Sequence, residues 1–193
     1  MIVTAPESLR DELRTLPLGR LLDRCCRLRR TTARADELAV RLVLRSLPRR
    51  IQAATVEAGE LEREILAHIR ALAPALLDEA GVGPIVAAQL IIAWSHPGRL
   101  RSEACFARLA GVAPIPASNG HTQRHRLSRG GDRQLNRALH TIILHRRQHD
   151  PATRAYIARR VSEGKSTRDA TRLLKRYLAR HLYRLLEQQP AMT

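Results

Sequence analysis

Apolar side chains recur at intervals of three and four along most of this chain, and this spacing constrains the fold more than any other feature. Aromatic residues make up 3% of the 193 residues. Valine and isoleucine mostly follow the same helical spacing instead of alternating as they do in a half-buried strand. The sequence therefore predicts an all-α fold, and its 44% hydrophobic content is sufficient for a buried core.

The first 72 residues are predicted to form a basic leader and a long, coiled-coil-like helical extension. Leucines in the leader indicate two short helices, and the following apolar positions indicate either a helix pair or one long helix kinked at Pro48. The apolar stripe of the extension comprises Ile51, Ala54, Ala58, Leu61, Ile65, Ile69 and Leu72. Pro74 interrupts this pattern, so a compact helical domain is predicted over residues 73–193.

Charge indicates the kind of partner. The formal net charge is +16, and nearly all of the positive charge is carried by arginine, whose planar fork binds phosphate oxygens bidentately. A polyanionic partner is the default inference. No segment reaches the length of about 18 apolar residues that a membrane span needs. The three cysteines form neither a disulfide framework nor the pattern of a zinc site. We therefore expect a cytoplasmic protein without a membrane partner or a metal site in this chain.

The segment from Gly111 to Asn136 holds the densest set of candidate functional residues. Pro114 and Pro116 oppose regular structure before Ser118, and Asn-Gly and Gly-Gly pairs give turn signals around it. Ser118 is therefore expected on a loop, exposed to a large ligand. The candidate nucleic-acid-binding residues of this loop are His121, Arg124, His125, Arg126 and Arg129.

Helices are predicted on both sides of this loop, including a short helix that is capped by Ser102 and ends at Gly111. Before it, Gly81 and Gly83 open an apolar helix, either as a phosphate-contacting hairpin like that of a helix-hairpin-helix element or as a closely packed turn. After it, Asp132 is predicted to cap a helix running to about residue 149, on which Arg133 and Arg137 share a basic face.

The chain is predicted to close with a long helix that opens at the capping box Ser166-x-x-Asp169. Its predicted apolar stripe comprises Ala170, Leu173, Leu174, Tyr177, Leu178, Leu182 and Leu185.

The order of four motifs over residues 73–189 resembles a known family. These motifs are Gly-Val-Gly-Pro, then Phe-Ala-Arg-Leu-Ala-Gly-Val-Ala-Pro, then Ser118 with Gly120, then Ser-Arg-Gly-Gly-Asp-Arg-Gln-Leu-Asn-Arg-Ala-Leu. Together they resemble the C-terminal transposase domain of the Piv/MooV-like insertion-sequence transposases, the IS110 and IS116 group. The leader and long helix resemble the segment that links this domain to an N-terminal nuclease-like domain.

The resemblance implies a bacterial, nucleoid-associated DNA recombinase. In this family an RNase-H-like domain with four carboxylates binds a divalent metal such as Mg²⁺ and works with a serine of the C-terminal domain, which by position is Ser118. DNA, a structured bridge RNA and multimeric assembly on DNA are implied, and the helix 51–72 is a candidate for pairing, although its stripe could equally pack within one chain. Nothing before Thr31 resembles the nuclease core, so this chain is expected to need no cofactor of its own and to be inactive alone.

Other interpretations remain open at the level of sequence. Ser118 is either a nucleophile or a turn residue, and Ser128 competes with it but suits a structural role in the turn before Asp132. His121 and His125 are either acid–base groups or phosphate contacts. The whole chain is alternatively a non-catalytic nucleic-acid-binding module, an inactive remnant of a transposase, or a helical scaffold that bridges protein partners.

Overall fold

The structure, a computed structural model, describes residues 2–3, 5–29, 35–116, 125–126, 128 and 130–188. Within these ranges it contains a 3₁₀ turn at Pro74–Leu76, two short strands and eight α-helices. The helices are α1 (Glu7–Arg14), α2 (Leu18–Cys26), α3 (Ala35–Leu72), α4 (Pro84–Trp94), α5 (Glu103–Leu109), α6 (Arg133–His149), α7 (Pro151–Ser162) and α8 (Thr167–Glu187). The predicted all-α fold is confirmed for this part of the chain.

The chain divides into two compact units, residues 1–61 and 62–193. The predicted division after residue 72 stays a prediction. In the first unit, α1 and α2 pack on the beginning of α3, and the side chains that form this core are Ala5, Leu9, Leu13, Cys25, Leu28 and Leu44. Leu9 and Leu13 lie one turn apart on α1, so they share the face that is buried. The leader is therefore a folded part of this unit.

Helix α3 continues through Pro48 as a single helix of 38 residues. Of the two arrangements considered for this region, one long helix is the one observed. All residues from 51 to 64 are exposed, whereas Ile69 is buried and Ile65 packs beside it in the core of the second unit. The predicted stripe thus has a packed end and an exposed beginning, where Ile51 is 48% and Leu61 is 52% exposed.

The second unit is built around α5, α6 and α8. Its largest fully buried side chains include Leu76, Leu90, Phe106, Leu135, Leu139, Ile142, Ile143, Leu182 and Leu186. The rings of Phe106 and Tyr183 lie 5.8 Å apart between centroids, and the Tyr183 hydroxyl donates to the carbonyl of Leu100 at 2.6 Å. These contacts attach the segment before α5 to α8.

Side-chain caps begin three of these helices as the sequence predicts. The Ser102 hydroxyl accepts from the backbone N–H of Cys105 at 3.3 Å, and the Asp132 carboxylate accepts from Gln134 and Leu135 at 2.8 and 3.0 Å. Ser166 accepts from the N–H of Asp169 at 3.1 Å. Each cap satisfies N–H groups that have no partner within the first helical turn.

Two expectations need correction. The sequence assigns Tyr177 to the buried stripe of α8, but this residue is 51% exposed, because the packed face is centred on Ala179, Leu182 and Leu186. Pro116 is expected to oppose regular structure, yet it belongs to a strand. A two-stranded ribbon has only edge strands, and an edge strand tolerates a residue that lacks an N–H group.

Among the described residues, no helix is long and apolar enough to cross a membrane.

Candidate nucleic-acid interface

A short β-ribbon stands between α5 and α6. Strand β1 (Ile115–Pro116) pairs antiparallel with β2 (His125–Arg126), with Ile115 opposite Arg126 and Pro116 opposite His125. Residues 117–124 connect the two strands. Four candidate site residues lie outside the described residues, and so do the side chains of two more. The four are Ser118, His121, Arg124 and Arg129, and the two are His125 and Arg126.

Two glycines fix the base of this ribbon. Gly111 ends the turn after α5 with a φ of +67°, and a Cβ built on Gly131 would lie only 2.5 Å from the Cα and the N of Gly111. Real Cβ atoms essentially never approach backbone so closely, so the two chain segments touch here because both residues lack side chains. The N–H of Asp132 also donates to the carbonyl of Leu109 at 2.7 Å. The ribbon therefore leaves and rejoins the helical unit at one point.

A polar brace supports the same point from α6 and α8. The Asn136 amide donates to the carbonyl of Ala110 at 2.7 Å, and the ammonium of Lys175 donates to the Asn136 side-chain oxygen at 3.1 Å. Asn136 uses both ends of its amide in this way, so its role is structural. Lys175 is one of only two lysines in the chain, and this contact places its charge beside the ribbon base.

We define the basic face as Arg133, Arg137, His140 and Lys175. The first three lie on one side of α6 at intervals of four and three residues, and the guanidinium groups of both arginines are exposed without a hydrogen bond or ion pair among the described residues. Burial, followed by the charges of Lys175 and Arg147, lowers the pKa of His140. Burial and the charge of Arg172 lower the pKa of Lys175. Burial is thus the main cause of both decreases in pKa, and neighbouring positive charges add to it.

The glycine hairpin before α4 occupies a different place. Gly81 has a φ of +85°, and a Cβ there would lie 3.1 Å from the Cβ of His145 and 3.2 Å from the carbonyl oxygen of Ile142. Gly81 therefore permits close packing on α6, the second of the two roles considered for it. Gly83 is exposed and begins α4, and a Cβ placed on it would have nothing within 4 Å.

Glu79 holds this hairpin to two helices. Its carboxylate accepts from Arg146 of α6 at 2.6 Å and lies 2.6 Å from Nε2 of His181 of α8, while Arg146 also donates to the carbonyl of Ala80 at 2.8 Å. Burial acts to raise the pKa of Glu79, but the hydrogen bonds and charges of His181 and Arg146 outweigh it, so this pKa lies below its ordinary value. The carboxylate is therefore charged at neutral pH and keeps the hairpin in place.

The hairpin and the ribbon base do not form a single site. Gly81 contacts His145, which follows Arg133 by twelve residues on α6, and at 1.5 Å per residue these positions are about 18 Å apart along the helix axis. The structure thus places Arg133 and Arg137 beside the ribbon, and Gly81 and Gly83 near the other end of α6.

Sequence reasoning missed Lys175 and the contact between Gly111 and Gly131. A lysine in an arginine-rich chain is a weak signal, and only the packing of α8 on α6 shows where it lies. The sequence places the two glycines in separate turns. No group of three metal-binding side chains occurs within the described part of the chain. The divalent metal implied by the resemblance thus has no candidate ligand set among these residues.

Comparison with known proteins identifies the class of this unit. Residues 73–158 match the transposase family described as Transposase IS116/IS110/IS902. The matched residues include the glycine hairpin, α4, α5, the ribbon, α6 and most of α7. They therefore cover both ends of α6 and the ribbon base.

A relative extends this match. The chain is 33% identical over 149 residues to the insertion element IS110 uncharacterized 43.6 kDa protein of Streptomyces coelicolor. The alignment covers 75% of this chain and 36% of that protein. Together the two matches support the assignment of residues 73–158 to the C-terminal region of an IS110-family transposase, as the four motifs predicted.

Proposed function

We propose that this chain is the C-terminal part of an insertion-sequence transposase, that it binds DNA through the ribbon and the basic face, and that Ser118 is the nucleophile in strand exchange. The observation that carries the proposal is the fixed ribbon base. Segment 117–124 connects residues Pro116 and His125, which pair with each other, and the ribbon returns beside Arg133 and Lys175. We propose that this segment brings the Ser118 hydroxyl close to these phosphate-binding cations.

The chemistry follows from the residue types. In the proposed step the Ser118 Oγ forms a bond to a DNA phosphorus, the bond from that phosphorus to one deoxyribose oxygen breaks, and the released oxygen takes up a proton. The serine proton passes to a base, for which His121 and His125 are candidates. The arginines of the loop stabilise the charge of the pentavalent phosphate. A hydroxyl of another strand reverses the step, so the phosphodiester energy is conserved without a nucleotide cofactor.

The direct test of this step is a search for the covalent intermediate. The full transposase, with its nuclease-like domain, is incubated with DNA that carries the ends of the element and is then denatured and digested with a protease. We expect a nucleotide attached to the peptide that contains Ser118, identified by mass spectrometry. An adduct on Ser128, or strand exchange without any protein–DNA adduct, would contradict the proposal.

DNA binding is proposed to use both ends of α6. The two regions are about 18 Å apart along the helix axis and lie on different sides of α6, because at 100° per residue His145 and Ile142 are turned by about 120° and 180° from Arg133. We therefore propose that the basic face and the N-terminus of α4 at Gly83 contact phosphates of separate nucleic-acid segments. Helix N-termini and arginine side chains both favour phosphate. The same cations suit the phosphates of a bridge RNA, which we propose as a second partner.

The Arg133→Gln/Arg137→Gln variant tests this surface. We expect it to reduce the slope of log affinity for duplex DNA against log salt concentration by about 2, because each lost phosphate contact reduces the slope by about 1. Fluorescence anisotropy between low and physiological salt measures the slope, and the same titration with the element's transcript tests the RNA. The control is Arg14→Gln/Arg20→Gln, which removes the same charge from exposed residues of the first unit. An equal decrease in both variants would indicate general charge attraction.

We further propose that two copies of the chain pair through α3. The exposed part of the stripe has apolar residues at alternating intervals of three and four, with Ile51, Ala54, Ala58 and Leu61, which is the spacing of a coiled-coil seam. No other described part of the chain covers it. A second copy supplies an identical stripe, which makes it the natural partner.

Two substitutions on α3 distinguish pairing from a solvated helix. Leu61 lies on the stripe and is 52% exposed, whereas Val56 lies off it and is 62% exposed. We expect Leu61→Glu to raise the dimer dissociation constant about 10- to 100-fold, which corresponds to the free energy of burying one leucine side chain. Val56→Glu should have little effect on this constant. Sedimentation velocity measures both. A monomeric parent protein at micromolar concentration would rule out this mode of pairing.

A further inference from the structure

The first unit carries an arginine-lined hollow that is separate from the basic face. It has a volume of about 270 Å³ and is lined by Leu42, Arg45, Ser46, Arg49 and Arg50. These positions recur at intervals of three and four along α3, so they lie on one side of the helix. The hollow lies within residues 1–61, outside the residues that match the transposase family.

Among the residues that the structure describes, the arginines of this hollow have no acidic partner. Arg41, one turn earlier, is paired with Glu37 at 2.7 Å, but the guanidinium groups of Arg45, Arg49 and Arg50 have no ion pair or hydrogen bond among the described residues. The next acidic residue along α3 is Glu57, seven positions after Arg50. Three arginines therefore line one small space without a paired counter-charge in the described part of the chain.

Arg45 gives a second, independent indication of a ligand. Its Nε is buried and has no hydrogen-bond partner, although the rest of the side chain is partly exposed. A buried donor without an acceptor is costly, and native structures rarely leave one unexplained. Because this Nε is buried from solvent, an anion in the hollow would supply the acceptor once the Arg45 side chain turns toward it.

We propose that this hollow binds a phosphate group. Guanidinium groups match the tetrahedral oxygens of phosphate with parallel N–H donors, and the Ser46 hydroxyl adds a further donor beside them. The volume lies below the usual range of about 300–1,000 Å³ for sites of drug-sized ligands, so it suits a single small anion. The phosphate belongs either to a nucleic-acid backbone or to a free phosphate ion, and the two sources share this chemistry.

The test uses the full chain with two exposed arginines of the hollow replaced. Arg49→Gln/Arg50→Gln removes two charges from the surface without changing a buried residue, and Arg14→Gln/Arg20→Gln is the charge-matched control in the same unit. In one arm, the affinity for a short DNA duplex is measured as a function of salt. In the other, inorganic phosphate is titrated at constant ionic strength while NMR follows the Nε–H signal of Arg45.

For the parent chain we expect the Arg45 Nε–H signal to move with millimolar phosphate but not with chloride. The Arg49→Gln/Arg50→Gln variant should lose this response and bind duplex about tenfold more weakly at low salt, the equivalent of one charge-assisted hydrogen bond. Its salt slope should fall by about 1, unlike that of the control. Arg45→Lys, which keeps the charge but removes Nε, should also lose affinity for phosphate.

The outcomes separate the two sources. A change in both arms supports a nucleic-acid phosphate, and a change in the phosphate arm alone supports a free ion in the same site. If the variant and the control agree in both arms, the proposal is overturned. Since Arg133 and Arg137 are intact in every variant of this series, failure here leaves the proposed function of the second unit unaffected.

Discussion

Ser118→Ala in a transposase that carries both the nuclease-like domain and this C-terminal region is expected to lower the rate of DNA strand exchange at least about 10³-fold, because loss of a catalytic nucleophile typically costs that much or more. DNA affinity should be unchanged, since phosphate binding is assigned to the cations around the loop. Strand exchange is measured with DNA that carries the ends of the element, and affinity by anisotropy on the same DNA.

Ser128→Ala is the matched control for this prediction. Ser128 is a second serine of the same loop, and its contact at the ribbon base is through its carbonyl oxygen, which would lie 3.3 Å from a Cβ on Gly111. Removal of the hydroxyl leaves this backbone contact intact, so strand exchange should persist. Full activity in Ser118→Ala would assign the chain to the non-catalytic nucleic-acid-binding class, and loss of activity in Ser128→Ala alone would transfer the nucleophile to that residue.

Gly131→Ala is expected to destabilise the second unit by about 3 kcal/mol, at the upper end of the cost of overpacking. The added methyl group would lie 2.5 Å from two backbone atoms of Gly111 and 3.0 Å from the carbonyl carbon of Ala110. Backbone atoms cannot move aside as the end of a flexible side chain can. The turn after α5 and the start of α6 would therefore have to separate, which weakens the Asp132 N–H bond to Leu109.

The stability measurement has a local probe and a neighbouring control. Trp94 is the single tryptophan of the chain and is buried in the second unit, so its fluorescence during urea denaturation reports on that unit. In Gly130→Ala the new Cβ would have nothing within 4 Å, so its stability should stay within about 0.5 kcal/mol of the parent. Equal stability of the two variants would show that the close approach of Gly111 and Gly131 is not maintained in solution.

Local sequence signals predicted the helices of the second unit well. Asp132, Ser102 and Ser166 mark helix starts because a short polar side chain satisfies the first free N–H groups, whatever the helix packs against. Gly111 marks a helix end for a similarly local reason, its positive φ. Such signals need only a few neighbouring residues, so they can be recognised without the fold.

Features that depend on tertiary contacts were predicted less well. In α8, helical spacing allows either the face that contains Tyr177 or the face that contains Leu186 to be buried. The face with Leu186 is buried because α5 and α6 pack against it. The contact of Lys175 with Asn136 likewise joins residues 39 positions apart. Periodicity shows which face of α1 is apolar, but it does not show that α3 is the helix that covers this face.

The candidate site could be predicted only in part, because tertiary contacts decide which of its residues lie together. Arg133 and Arg137 follow from helical spacing and lie beside the ribbon base. The glycine hairpin and the ribbon lie on either side of α5 in the sequence, but this order carries no information on which end of α6 each element contacts. The roles of Ser118 and the loop cations stay predictions.

The closed base of the ribbon has a consequence for how this region can vary. Its two ends are joined by backbone contacts between Gly111 and Gly131 and between Asp132 and Leu109, none of which requires a particular side chain from residues 117–124. The contacts at the base therefore offset the entropic cost of bringing the two ends of the loop together. A replacement segment should be accepted there as an interchangeable module, so a chimaeric chain can exchange this segment while the helical scaffold and its stability are preserved.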